Sequence, residues 1–274
     1  MKKLYSLLLG LAMSLMTFAV DFGPVGVSVS ADVVSHYLYR GTVLGGLSVQ
    51  PCVEVNAYGF TAGVWGSVGM SPYWNYKNNV FSDSITFVPE LDVYLSYTTP
   101  GDWVSISVTQ FYYFDGSKYF YYGTDPENST QTEIHAQVKL APSYDIYFHW
   151  NTHVGGGDVY VDDNDVAHKY WSSYAAFTGS FELPHDITLD AEVGLSPYRS
   201  CYTYYNEDTG EYAKFAVNNI SAACQKHWYA GGKEGDLVDM YVQAKVAFNL
   251  FDVGYQPFGY GKNFNWMVGF GFLL

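Results

Sequence analysis

VGVSVSADVVSHYLYRGTVLGGLSVQPCVEVNAYGFTAGVWG, residues 25–66, reads as three consecutive β-strands. Side chains alternate faces along a strand. Val27, Val29, Ala31 and Val33 therefore share one side, and Ser28, Ser30, Asp32, His36 and Arg40 share the other. The second strand repeats this, with Val49, Val53, Val55 and Ala57 in one phase and Gln50, Glu54 and Asn56 in the other. Segments of about ten residues, apolar on one face and ionisable on the opposite face, are the signature of a transmembrane β-barrel with a polar lumen.

The same unit recurs to the end of the chain. Strands are predicted over Val25 to Arg40, Ser48 to Tyr58, Phe60 to Gly69, Phe87 to Ser96, Val104 to Thr109, Glu133 to Leu140, Asp145 to His153, Trp171 to Glu182, Ile187 to Val193, Val238 to Phe248, Asp252 to Phe258 and Asn265 to Leu274. The expected fold is thus all-β, a transmembrane antiparallel barrel of about twelve strands. Short turns at Tyr58-Gly59, Pro100-Gly101, Pro142-Ser143 and Pro184-His185 alternate with long connections, the longest over Pro197 to Gly235. That asymmetry suits short periplasmic turns and long extracellular loops. A secreted soluble sandwich has the same periodicity with its faces reversed, but no reason to sort its loops.

Residues 1–19 carry Lys2 and Lys3, the apolar run Leu7 to Met16 and then Thr17-Phe18-Ala19, the pattern of a secretory signal peptide. Residues 20–274 are expected to form a single barrel domain. The formal net charge of −14 becomes two units more negative once both lysines leave, which argues against a nucleic-acid partner. The 27 tyrosines suit interfacial girdles as well as ordinary β-structure.

Two blocks carry resemblances. Trp266, Val268, Phe270, Phe272 and Leu274, alternating to the last residue, resemble the C-terminal signal that barrel-assembly machinery reads, with leucine where phenylalanine is usual. Asp32 to Gly41, DVVSHYLYRG, with Gln50-Pro51, is similar to the opening of an uncharacterised TorF-like family of Gram-negative outer-membrane barrels. The resemblance implies a barrel in the cell outer membrane, in contact with its lipid. It implies no activity.

Sorting by phase places Asp32, Glu54, Glu90, Asp92, Glu133, Asp145, Glu182, Asp190, Glu192 and Asp239 on the lumen side, with Arg40, Lys139 and Lys245 as the bases and His36, His135, His149 and His153 among them. Rings of carboxylates favour cations in a narrow pore, so the expectation is a small channel or passive transporter for small solutes or cations. The competing expectation is a plugged lumen whose acids form internal networks, with long loops for surface interactions. His149 and His153 lie about 13 Å apart along one strand, too far for one ion, and no metal or cofactor is predicted. A lipid hydrolase would need a hydroxyl and a histidine on the lipid face; Ser35 and Ser173 qualify as hydroxyls, but no strand histidine shares their phase. Asp162-Asp163-Asn164-Asp165 lacks the glycine and distal glutamate of a helical-hand calcium loop and reads as a solvated turn. Cys201 and Cys224, placed in one outer loop, are a disulfide candidate worth about 3 kcal/mol, leaving Cys52 free.

Overall fold

Twelve antiparallel strands close on themselves: β1 (Val25–Val34), β2 (Ser48–Ala57), β3 (Phe60–Gly69), β4 (Pro89–Thr98), β5 (Val104–Tyr112), β6 (Gln131–Lys139), β7 (Asp145–Gly156), β8 (Ser173–Leu183), β9 (Ile187–Ser196), β10 (Ala216–Ala230), β11 (Val238–Phe248) and β12 (Phe264–Leu273). Each strand pairs with its neighbours in sequence, and β12 returns to β1 through Ser30 opposite Leu273 and Val34 opposite Gly269. Closure leaves no sheet edge, so every ladder group finds a partner inside the hydrocarbon layer. The computed structural model describes residues 25–69, 74–75, 80–81, 89–114, 117–125, 127–162, 164–203, 205–206, 211–212, 214–230, 238–249 and 264–274. The predicted leader and the strand predicted near 252–258 lie outside these residues.

The outer wall is apolar. Val55, Val64, Leu95, Ile106, Ile134, Phe177, Val193, Val242 and Phe270 point outward and stay 43–55% exposed. Left in water, each would forgo roughly half of the 1.5–3 kcal/mol that full burial supplies, and a lipid surround removes that cost. Phe60, Tyr97, Trp103 and Trp228 ring the end with short turns, and Trp171, Phe248, Phe264 and Trp266 ring the end with long connections. These are the two aromatic girdles of a membrane barrel.

Three expectations are corrected. The first strand ends at Val34, not Arg40, because the chain bends at Ser35-His36 and then forms a hairpin, Tyr37–Tyr39 against Thr42–Gly45. The segment predicted as one loop from Pro197 to Gly235 contains β10. Sequence alternation misses it because Lys226 occupies its outer phase; the ammonium avoids the hydrocarbon by reaching the short turn, where it donates to the His185 carbonyl and, at 3.2 Å, to Asp186. With β10 inserted, β11 runs in the direction opposite to the one predicted, although its inward and outward faces are as read. Alternation has no polarity, so a missing strand reverses its successor without disturbing its phase.

The third correction concerns the cysteines. Cys224 lies within β10 on the outer wall, between Leu189 of β9 and Ala244 of β11, whereas Cys201 sits in the connection from β9 to β10. Cys52, Cys201 and Cys224 are all free thiols, and the predicted disulfide is absent.

The acidic run does form a turn. Asp162 accepts backbone N–H groups from Asn164 and Val166 and faces His168 at 3.1 Å, capping the short hairpin Val159–Val161 against Ala167–Lys169. The Val166 N–H first, then His168 and Asn164, hold its carboxyl below the ordinary aspartate range.

Candidate functional site

The hairpin after β1 folds into the barrel, and its tip is Arg40-Gly41. Both residues have positive φ, +47° and +82°, as a two-residue turn of matching twist requires. Glycine serves twice at position 41. It tolerates the left-handed backbone, and a Cβ there would stand 2.4 Å from the Asn218 carbonyl of β10. Asn265 of β12 donates to the Gly41 carbonyl at 2.9 Å, fixing the tip against this wall. Arg40 has no such exemption, and a non-glycine residue held at positive φ costs about 1–3 kcal/mol that its surroundings must offset.

Those surroundings lie across the lumen. The Arg40 guanidinium donates to both carboxylate oxygens of Glu133 on β6, each at 2.8 Å, and also to the Tyr202 hydroxyl. Planar guanidinium matches carboxylate in this two-point geometry, which lysine does not reproduce. The rings of Tyr39, Tyr174 and Tyr202 stack around it at 4.7–5.0 Å. Tyr174 itself lies flat along the wall because Gly194 leaves room, a Cβ there meeting the Tyr174 hydroxyl at 1.8 Å. Both charged side chains are nearly inaccessible, 11% for Arg40 and 5% for Glu133. A pair this deep repays its desolvation through geometry, and losing one partner strands the other.

On the near side of the hairpin, Glu90 and Asp92 of β4 are buried, and Glu90 accepts the hydroxyls of Tyr37 and Tyr113. Asp92 Oδ1 has no hydrogen-bond partner among the described residues. Tyr37 packs on Trp65 and Tyr39 on Phe111, so the outer half of the lumen is filled by aromatic rings around three carboxylates. The cavity left beside Arg40, bounded by Tyr39, Phe111, Tyr113, Cys201 and Tyr202, is about 50 Å3.

Below the hairpin the wall is polar and the space wider. Tyr94 donates to Glu54 at 2.5 Å, Tyr241 and Gln243 to Asp32 at 2.7 and 3.1 Å, Tyr174 to Glu192 at 2.6 Å and Ser180 to Asp190 at 2.6 Å. His135 and His149 stack with ring nitrogens 3.1 Å apart. Toward the end with short turns the lumen opens into a vestibule of about 580 Å3, bordered by Glu182, His185, Asp186, His227, Asp239 and Leu274. Lys139 is engaged by Asp145 at 2.9 Å near this mouth.

Of the residues sorted to the lumen by sequence, His36 stands elsewhere. It packs edge-on against Trp266 of the outer wall, 4.8 Å between ring centres, because the bend at Ser35-His36 breaks the alternation. His36 Nδ1 then lies 3.2 Å from Ser35 Oγ, so a hydroxyl and an imidazole meet on a face where phase alone excluded it. Asp32, Glu54, Glu90, Asp92, Glu133, His135, Lys139, His149, His153, Asp190, Glu192, Asp239 and Lys245 project from the inner face, and Arg40 enters from the hairpin. Phase places Tyr174 and Tyr241 on the inner side, and Tyr94 shares it, but phase alone does not name them as the partners of these acids; Tyr113 and Tyr202 lie in connections, where phase has no meaning.

No family model and no curated protein matches the chain. Among solved structures it is similar to a NanC porin, with 11% identity over 90% of this chain and 98% of that one at a TM-score of 0.44. It is similar also to the COG4313 outer membrane channel from Pseudomonas putida F1, 11% identical over 91% of this chain and 93% of the other, TM-score 0.47. A third is the Salmonella typhi outer membrane phospholipase dimer with bound calcium, 12% identical over 90% and 89%, TM-score 0.36. At these identities and scores the likeness assigns no function.

Proposed function

We propose that the chain is an outer-membrane barrel acting as a narrow, cation-preferring channel, entered through the acidic vestibule and throttled by the Arg40 hairpin. The observation that carries this reading is the charge balance of the inner surface. Arg40 is matched by Glu133 and Lys139 by Asp145, and Glu90 and Asp92 are buried side by side away from solvent, which leaves Asp32, Glu54, Glu182, Asp190, Glu192 and Asp239 against Lys245. Within low-dielectric walls that excess concentrates cations. The C-terminal strand is proposed as the segment that barrel-assembly machinery engages.

The test is the reversal potential across a planar bilayer under a KCl gradient. Wild-type protein is expected to prefer potassium, and Asp190→Asn with Glu192→Gln together to weaken that preference. Anion preference in the wild type would overturn the reading.

One observation favours a second reading, a closed barrel whose outer loops bind something outside: the Arg40 clasp spans the lumen to Glu133 of β6. Bilayers that stay sealed in repeated trials would support it. A lipid hydrolase has the Ser35 and His36 pair in its favour, but Ser35 Oγ also accepts the Val268 N–H at 3.0 Å, and no acid orients His36 among the described residues.

A further inference from the structure

Outward of the clasp, three potential metal ligands converge from three separate segments. His153 ends the inner face of β7, Asp158 follows that strand, and Cys201 lies in the connection before β10. One ligand atom from each lies within 4.8 Å of the others, with the Cys201 sulfur 4.0 Å from His153 Nδ1. We infer that His153, Asp158 and Cys201 bind a zinc-type divalent ion, which bridges the two outer connections that carry Asp158 and Cys201.

The surroundings prepare each ligand. His153 Nε2 is engaged on its far side by the Tyr202 hydroxyl at 2.8 Å and by Glu133 at 3.3 Å. With the proton on Nε2 toward Glu133, the Nδ1 lone pair is turned toward sulfur; a carboxylate behind a histidine is the usual outer-shell partner of a zinc ligand. Ser172 ties the three segments together. Its N–H and hydroxyl donate to the two Asp158 oxygens at 2.7 and 2.5 Å, its carbonyl accepts the His153 N–H at 2.9 Å, and its hydroxyl oxygen accepts the Cys201 N–H at 2.8 Å. Each Asp158 oxygen retains a second lone pair for an ion.

The donor set selects the metal. One sulfur, one imidazole nitrogen and one carboxylate oxygen form a mixed site of borderline softness, unsuited to calcium or magnesium, which take oxygen. In a tetrahedral zinc site neighbouring ligand atoms stand about 3.4–3.6 Å apart, so the ligands would close by up to about 1.4 Å on binding. Cys201 would bind as thiolate, its proton passing to solvent.

The test uses untagged, reduced, refolded protein in detergent, dialysed against zinc. The expected result is about one zinc per chain, with affinity at least tenfold weaker in Cys201→Ser and unchanged in Cys224→Ser. Cobalt in place of zinc should give the near-ultraviolet charge-transfer band of a thiolate ligand in the wild type and lose it in Cys201→Ser. Heat-modifiable migration in a gel establishes that each protein is folded. A folded wild type without zinc, equal affinity in Cys201→Ser, or bound cobalt without the thiolate band would each overturn the site. These outcomes do not depend on whether the barrel conducts ions.

Discussion

The two halves of the lumen are lined by the same kinds of residue and behave differently. In the outer half, Glu133, Glu90 and Asp92 are shut in by tyrosine rings and by an arginine delivered on a hairpin. In the half nearer the short turns, Asp190 and Asp239 are likewise held by hydrogen bonds, yet Asp239, with Glu182 and Asp186, borders space wide enough for solvent. What differs is the inserted chain, since a barrel of twelve strands is too wide for wall side chains alone to decide whether it is open. The Arg40 hairpin is the chain that fills the outer half.

The contrast is broken most severely by removing the guanidinium. Arg40→Ala leaves Glu133 buried without its cation, and the loss of stability should be about 3–5 kcal/mol, read as a lowered urea midpoint of unfolding in lipid vesicles. Replacing both partners by apolar residues of similar volume should cost less than the single change. If Arg40→Ala unfolds at the wild-type midpoint, the clasp contributes nothing. Gly41→Val attacks the other anchor. A branched side chain at φ +82° against the Asn218 carbonyl should withdraw the tip, so protein with an otherwise intact barrel should become more permeable to small ions than wild type. A tip that stays closed would mean that Arg40 alone fixes it. The smallest effect is chemical: denatured, unreduced protein should titrate with three free thiols, and one would restore the disulfide between Cys201 and Cys224.

Much of this fold is legible in the sequence because a membrane barrel writes its inside and outside into alternate residues. Val104, Ile106 and Val108 declare β5 without any tertiary knowledge, and β11 displays its faces even when its direction is misread. β10 is illegible for a physical reason. Its outer phase holds Ala222, Cys224 and Lys226, and its inner phase holds Ala223, so neither face has the contrast that alternation needs. The site was half visible. Phase put Glu133 and Arg40 on the same side, but their union depends on the bend at Ser35-His36, which ends the strand and sends Arg40 across the barrel. Asp158, Cys201 and Tyr202 come from connections and meet only through tertiary packing.

Single-molecule conductance in planar bilayers, wild type beside Arg40→Ala under identical salt, tests most directly whether the hairpin throttles an acid-lined pathway. The account predicts small, cation-preferring openings in the wild type and a severalfold larger conductance, still cation-preferring, in Arg40→Ala. Equal conductance in the two proteins, or a lumen that remains sealed after the arginine is gone, would contradict it.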